Sequence, residues 1–300
     1  AFGGVMGAMV QTRVADVIPF ARRARAGGIV STAFSVSTVA GVPLSLWMVN
    51  YFDWRAPFLL IAAMVAVFMA VGLRVLPELR HHISTERQAH PFAPMFTVLR
   101  DANHLRALLF SALIISSGFT VIPYITVYAV HNVGISQQDI PYIYLFGGAA
   151  TLVTARLIGA WADRRGKVLV YRLVAFAALL PILAVTHLGG VPLWVWLVCT
   201  TAFFVLVSGR MIPAMAIISS AAQPKLRGTF MSIHATVQSF SMGLATTLAG
   251  FIISQGAGGQ VVGYGLVGFV AVAGNLLAIG FVARIAMRDQ HAFPRDAVSK

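Results

Sequence analysis

Charge is scarce in this sequence: only 10% of its 300 residues are Asp, Glu, Lys or Arg, against roughly 25% in a soluble domain. Hydrophobic residues make up 58% and the mean hydropathy is +0.83, so water is not the solvent for most of the surface. Disorder, collagen and coiled coil are excluded, because each is polar, Gly-periodic or heptad-rich. The single cysteine, Cys199, excludes an internal disulfide framework and a zinc site built mainly from cysteines. A net charge of +13 suggests nucleic acid at first sight. The basic residues, however, fall in loops between apolar runs, and membrane orientation accounts for them. The chain reads as a polytopic membrane protein whose partner is the lipid bilayer, with no nucleic acid.

A helix needs about 20 mostly apolar residues to cross the hydrocarbon, because every backbone amide must be satisfied within its own segment. Residues 26–52, 56–73, 107–138, 140–155, 173–209, 211–224 and 228–283 contain no formally charged side chain apart from histidine. Gly189, Gly190 and Pro192 divide one long run, and the stretch from Gln255 to Gln260 divides another. The reading is nine spans, at 2–18, 26–50, 56–76, 107–130, 140–161, 169–188, 192–220, 228–253 and 261–285. Membrane β-strands would alternate in ~10-residue segments, and these runs are continuously apolar.

Alternate connections hold Arg22, Arg23 and Arg25; Arg74, Arg80, Arg87, Arg100 and Arg106; Arg164, Arg165, Lys167 and Arg172; Lys225 and Arg227; and, after the last span, Arg284, Arg288, Arg295 and Lys300. The opposite connections hold only Arg55, and Arg13, Arg156 and Arg210 lie within spans. This asymmetry predicts a cytoplasmic C-terminus. Nine spans then put residue 1 outside, yet Ala1 is preceded by no initiator Met or basic leader. The expectation is the C-terminal part of a longer protein; a true nine-span chain is the alternative. The connection at 77–106 carries Pro77, Pro91, Pro94 and four histidines (His81, His82, His90 and His104). It reads as a solvated linker between two bundles, since no Cys or spaced acid supports a metal site.

Residues 159–167 read Gly-Ala-Trp-Ala-Asp-Arg-Arg-Gly-Lys and resemble the signature loop of the major facilitator superfamily, G-x-x-x-D-[RK]-x-G-[RK], at every defined position. Gly159 allows close helix approach, Gly166 a tight turn, and Arg164, Arg165 and Lys167 hold the loop at the cytoplasmic face. The resemblance implies that Asp163 is a latch made in one conformation and released in the other. Two further turns repeat: Pro19 precedes Arg22 and Arg23, and Pro224 precedes Lys225 and Arg227, 205 positions apart, as an internal repeat requires. In family terms the three anchors give one register, spans four to twelve of twelve. The stretch from Gly28 to Leu44, with Gly41-Val-Pro43, is similar to the fifth-span antiporter motif of drug and sugar efflux families. Its Ser37, Val42 and Ser45 depart from that motif. Gly41 and Pro43 would kink and pack the span. With Pro123 after Phe119 and Pro213 after Arg210, the sequence resembles the sugar-efflux and arabinose-efflux-like branch.

A charge within a span costs at least about 2.5–3.5 kcal/mol on insertion scales, so Arg210 is the sharpest candidate. It contacts either an anionic or hydroxyl-rich substrate, or broken backbone near Pro213. Arg156, seven residues before Asp163, is a gate candidate, as are Arg13 and Asp16 at the end of the first span. Phe119, Tyr124, Tyr144 and Gln238 are candidates for the substrate pathway. None of the nine acids lies at mid-span, so a proton-titrating group belongs to other spans or coupling is absent. His187 and His234 sit near span ends. No phosphate loop, nucleophile elbow or metalloprotease motif occurs, so no enzyme, cofactor or metal is expected.

The expected fold is all-α, a major-facilitator-type bundle. Residues 1–76 are the remainder of the N-terminal half, 77–104 the linker, 105–287 a complete C-terminal six-helix half and 288–300 a cytoplasmic tail. The resemblance implies a monomeric inner-membrane exporter of a small drug-like molecule or sugar, driven by the proton gradient. The alternatives are an uncoupled facilitator and a non-transporting sensor or scaffold.

Overall fold

A computed structural model describes residues 36–75, 93–223 and 226–288. The expected span at 2–18, the first basic turn with Arg13, Asp16 and Arg23, most of the linker, Lys225 and the tail lie outside the described residues. Nearly all the described backbone is helical. A five-residue π-turn, Ser37–Gly41, leads into α1 (Val42–Tyr51), with Pro43 in its first turn, where the missing N–H is no loss. Then follow α2 (Ala56–Val75), α3 (Ala93–Arg100), α4 (Ala102–Phe119), the short α5 (Ile125–Tyr128), α6 (Ile140–Arg165), α7 (Lys167–Ala177), α8 (Leu179–His187), α9 (Leu193–Gly209), α10 (Met211–Ala221), α11 (Arg227–Ile252) and α12 (Tyr264–Phe281).

Three of these breaks have one cause. Pro123, Pro181 and Pro213 each lie four residues after the last residue of the preceding helix, Phe119, Ala177 and Gly209. A proline cannot donate to the carbonyl four residues back and its ring crowds that carbonyl, so each span bends there and continues. Across the bends, five apolar units are long enough to cross a membrane: Ala102–Val133, Gln137–Arg165, Lys167–His187, Leu193–Ala221 and Tyr264–Arg284. The 26-residue α11 has the length but less hydropathy, because Ser232, His234, Thr236, Gln238 and Ser241 interrupt its apolar residues. α2 is apolar and exposed along most of its length, as a lipid-facing helix must be.

The chain returns to helix sooner than the linker boundary at 104 implies. α3 occupies 93–100 with Val98 buried, and α4 starts at Ala102 because Asp101 caps it, accepting hydrogen bonds from the N–H groups of Asn103 (2.8 Å) and His104 (3.1 Å). His104 is accordingly buried rather than solvated. At the opposite end, residues 254–262 form a two-stranded hairpin, β1 (Ser254–Gln255) against β2 (Val261–Val262).

Two large apolar clusters fill the bundle, with a smaller third around Ile158, Val170 and Val174 of α6 and α7. One, around Phe110, Tyr171, Ile217 and Phe230, lies toward the end carrying the basic loops, here the basic end. The other, around Ile125, Trp196, Phe203 and Tyr264, lies toward the far end. Close approach depends on glycine at two seams. A Cβ on Gly147 of α6 would stand 2.6 Å from the Phe204 ring of α9, and one on Gly268 of α12 would overlap Thr186 Oγ1 of α8.

Candidate functional site

Arg210, at the bend between α9 and α10, is 1% exposed. Its guanidinium donates to Asn275 Oδ1 of α12, to Ser117 Oγ (2.8 Å) and to the Ile114 carbonyl (3.2 Å) of α4. Asn275 in turn donates from Nδ2 to the Ala175 carbonyl of α7 (2.7 Å). Four spans therefore meet on one buried cation, and no carboxylate pairs with it among the described residues. Of the two readings of Arg210, this arrangement favours bonds within the protein. The contacts are with α4 and α12, not with the backbone broken at Pro213, which is itself buried.

The α4–α11 seam carries three polar contacts. Tyr124 Oη donates to the Thr246 carbonyl (3.0 Å), and the Phe119 carbonyl that Pro123 leaves without its helical donor accepts from Thr246 Oγ1 (3.3 Å). Deeper in the same seam, buried His234 bonds to Ser111 Oγ through Nε2 (2.8 Å); it lies seven residues into α11, not at its end. His187, by contrast, is the exposed last residue of α8, its ring against Phe269. Gln238 is half-buried further along α11.

Tyr144 sits elsewhere, with its hydroxyl 2.9 Å from Thr126 Oγ1 and its ring against Phe204. Beside that pair a cavity of about 270 Å³ opens at the far end, lined by Leu46 and Val49 of α1, by Thr126, Val127, Val130 and His131 around α5, and by Gln137 and Ile140 at the start of α6. The candidates Arg210, Phe119, Tyr124, Tyr144 and Gln238 thus do not form one constellation: only Tyr144 adjoins the cavity, while Arg210 is held deep in the bundle.

At the basic end, α6 stops at Arg165 and Gly166 takes φ 94° before α7 begins at Lys167, the left-handed geometry that glycine permits without strain. Asp163, Arg164 and Arg156 are exposed, and Asp163 has no ion-pair partner among the described residues. Gly159 is close to α10, where a Cβ would meet Ile212 at 3.8 Å. Arg227 opens α11.

The paired acid of this end is Asp101, which sequence reasoning passed over. Its carboxylate accepts from Arg288 (2.7 and 3.1 Å) and from Gln223 Nε2 (3.0 Å). His104 accepts the Gln223 N–H at Nε2 (3.2 Å) and stacks on Phe230. Partial burial pushes the Asp101 carboxyl up, but the Arg288 hydrogen bond, the two cap N–H groups and the charge on His104 outweigh it and hold the carboxyl well below the usual range. The stability this acid contributes is therefore present at neutral pH and is lost as pH falls below the ordinary carboxylate range. Asp101→Asn is expected to cost about 0.5–1 kcal/mol, since Arg288 is partly exposed. Thermal unfolding in a mild detergent is the measurement, and the difference from the unaltered protein should shrink as pH falls below the ordinary carboxylate range.

Two asparagines tie the same pair of spans at both ends. Asn103 donates to the Ala286 carbonyl (2.9 Å) and accepts the Ala286 N–H (2.8 Å); Asn132 does the same with Val261 (3.0 and 2.8 Å). Asn132→Leu is expected to speed amide hydrogen exchange at 254–262 roughly tenfold, a loss of about 1.4 kcal/mol of local protection, and to leave 285–288 unchanged. A sequence signal existed for Asp101, an acid directly before an apolar helix, and for Asn275, an amide inside an otherwise apolar run. None existed for Asn103 or Asn132.

The architecture is that of an all-α multi-pass membrane bundle with proline-bent spans. The profile of the Major Facilitator Superfamily matches residues 1–246, and the chain belongs to that superfamily. It is similar to the uncharacterized MFS-type transporter YtbD of Bacillus subtilis (strain 168), with 26% identity over 186 residues, 61% of this chain and 46% of that relative. The match thus spans about half the relative's length.

Proposed function

We propose that this protein carries a small molecule out across the cytoplasmic membrane by alternating access, as a monomer with its basic end and C-terminus in the cytoplasm. The observation that carries the reading is the far-end cavity: one wall comes from α1 and the other from α5 and the start of α6, so relative movement of these elements would open or close it. At the basic end, the turn from Gly159 to Lys167 with Asp163, Arg164 and Gly166 is the latch. Arg156 beside it, the turns at Arg23 and Arg227, and the pair Arg13 and Asp16 set the balance of states. Gly41, Pro43 and Pro213 supply the bends on which movement turns.

The proton gradient is the proposed driving force, supported by the resemblance of the span with Gly41 and Pro43 to an antiporter motif. Uncoupled facilitation is the second reading, favoured by the absence of acids from the interior of the described spans. Efflux of a panel of dyes and radiolabelled sugars from cells expressing the protein tests both. Val49→Trp, on the cavity wall, is expected to cut efflux about tenfold. Collapse of the proton gradient with an uncoupler should abolish efflux if coupling holds and leave it unchanged if it does not. Flux equal in cells with and without the protein would sink the transporter reading.

A further inference from the structure

The far-end cavity bears on what is carried. Resting on the transporter reading above, the geometry points to an uncharged, largely apolar one- or two-ring compound as its occupant, rather than a cation or a sugar. Five of the eight lining side chains are aliphatic, and the other three (Thr126, His131 and Gln137) are hydrogen-bonding groups without a formal charge when the histidine is neutral. One of these three is already engaged, since the Thr126 hydroxyl is paired with Tyr144 Oη. A hexose brings about five hydroxyls, and each one buried without a partner forfeits its hydrogen bonds to water. Among the described residues, three polar side chains, one of them committed, offer fewer partners than that number. An apolar ring system, by contrast, gains by leaving water against Leu46, Val49 and Val130, with one or two hydrogen bonds from Gln137 and His131 to orient it.

The charge balance among the described residues disfavours the third class. A cation moved into an apolar cavity requires a carboxylate within it, and among the described residues none lines this one. Asp139 ends the turn Gln137–Asp139 just before Ile140 but does not reach the lining. Asp53, on the loop after α1, is exposed and 4.0 Å from Arg55. The one buried cation of the described spans, Arg210, is occupied by Asn275 and Ser117 and lies outside the cavity, so it offers nothing to an anion there. The volume, about 270 Å³, lies near the small end of small-molecule sites, which run from about 300 to 1,000 Å³.

Equilibrium binding by the whole protein in lipid nanodiscs, read against empty nanodiscs, tests this. The probes are N-phenyl-1-naphthylamine (neutral, aromatic), ethidium (cationic) and radiolabelled arabinose. The naphthylamine should bind saturably, and about tenfold or more tightly than either other probe, a gap of about 1.4 kcal/mol. Val130→Trp should weaken it at least tenfold. Val49→Trp repeats the test from the opposite wall, on a side chain 43% exposed, should Val130→Trp fail to fold. Naphthylamine binding indifferent to both substitutions, or displaced by a short-chain phosphatidylcholine without regard to them, would overturn the proposal. So would tighter binding of arabinose, or tighter binding of ethidium that Asp139→Asn removes. The two readings fail separately: a protein that binds the naphthylamine as described but moves no solute loses the transporter reading, whereas one that exports solutes with an indifferent cavity loses this inference.

Discussion

Asn275→Leu is expected to lower stability by about 3–5 kcal/mol, because it leaves a buried guanidinium without its principal acceptor and frees the Ala175 carbonyl of α7. Arg210→Leu should be milder, about 2 kcal/mol, since it removes the charge together with its desolvation cost and strands only neutral groups. The double variant should be at least as stable as Asn275→Leu alone, because an apolar replacement of both partners removes the uncompensated charge. Thermal unfolding of the four proteins in a mild detergent gives the cycle. If instead Arg210→Leu unfolds like the unaltered protein while transport disappears, the guanidinium serves the solute and the internal bonds are incidental.

The other large effect is steric. A leucine at Gly268 has to occupy space held by Thr186 Oγ1 and Cβ, both on α8, whose Oγ1 is tied to the Ile182 carbonyl (2.9 Å) and cannot swing away freely. Overpacking typically costs about 1–3 kcal/mol and more where backbones must separate; Gly268→Leu should reach or exceed about 3 kcal/mol, and Thr186→Ala should restore part of it. Gly280 on the same helix is the internal control. A Cβ there meets nothing within 4 Å, so Gly280→Ala should stabilise α12 by about 0.5–1 kcal/mol through backbone entropy alone. Equal losses at the two positions would mean that the α8–α12 contact is looser than described.

What the sequence made legible follows from range. The expected span at 56–76 is found as Ala56–Val75 and that at 228–253 as Arg227–Ile252, because hydropathy and breaker residues act within a few positions. Of the bends at Pro123, Pro181 and Pro213, a broken backbone is expected from the sequence only at the last, although Pro123 and Pro181 carry the same local signal. The site was much less so. Arg210 stood out as a cation in an apolar run, but its acceptor Asn275 lies 65 positions away, and nothing local to either residue announces the other. His104 resembles the other linker histidines in sequence because the helix that Asp101 caps, three residues before it, starts inside the expected linker. Tyr144 and Phe119 looked alike as aromatics within spans, yet one adjoins the cavity and the other lies in the α4–α11 seam, a difference only packing decides.

The asparagine ties at the two ends of the spans Ala102–Val133 and Tyr264–Arg284 have a consequence for synthesis. Asn103 and Ala286 are 183 positions apart, so at about 5–20 residues per second a ribosome needs roughly 9–37 seconds to make the second after the first. For that interval the span Ala102–Val133 has both of its end amides waiting, and Ser117 is without its guanidinium until Arg210 is made. Both ties between these two spans are therefore closed only after the last described α-helix, from Tyr264 onward, has been made.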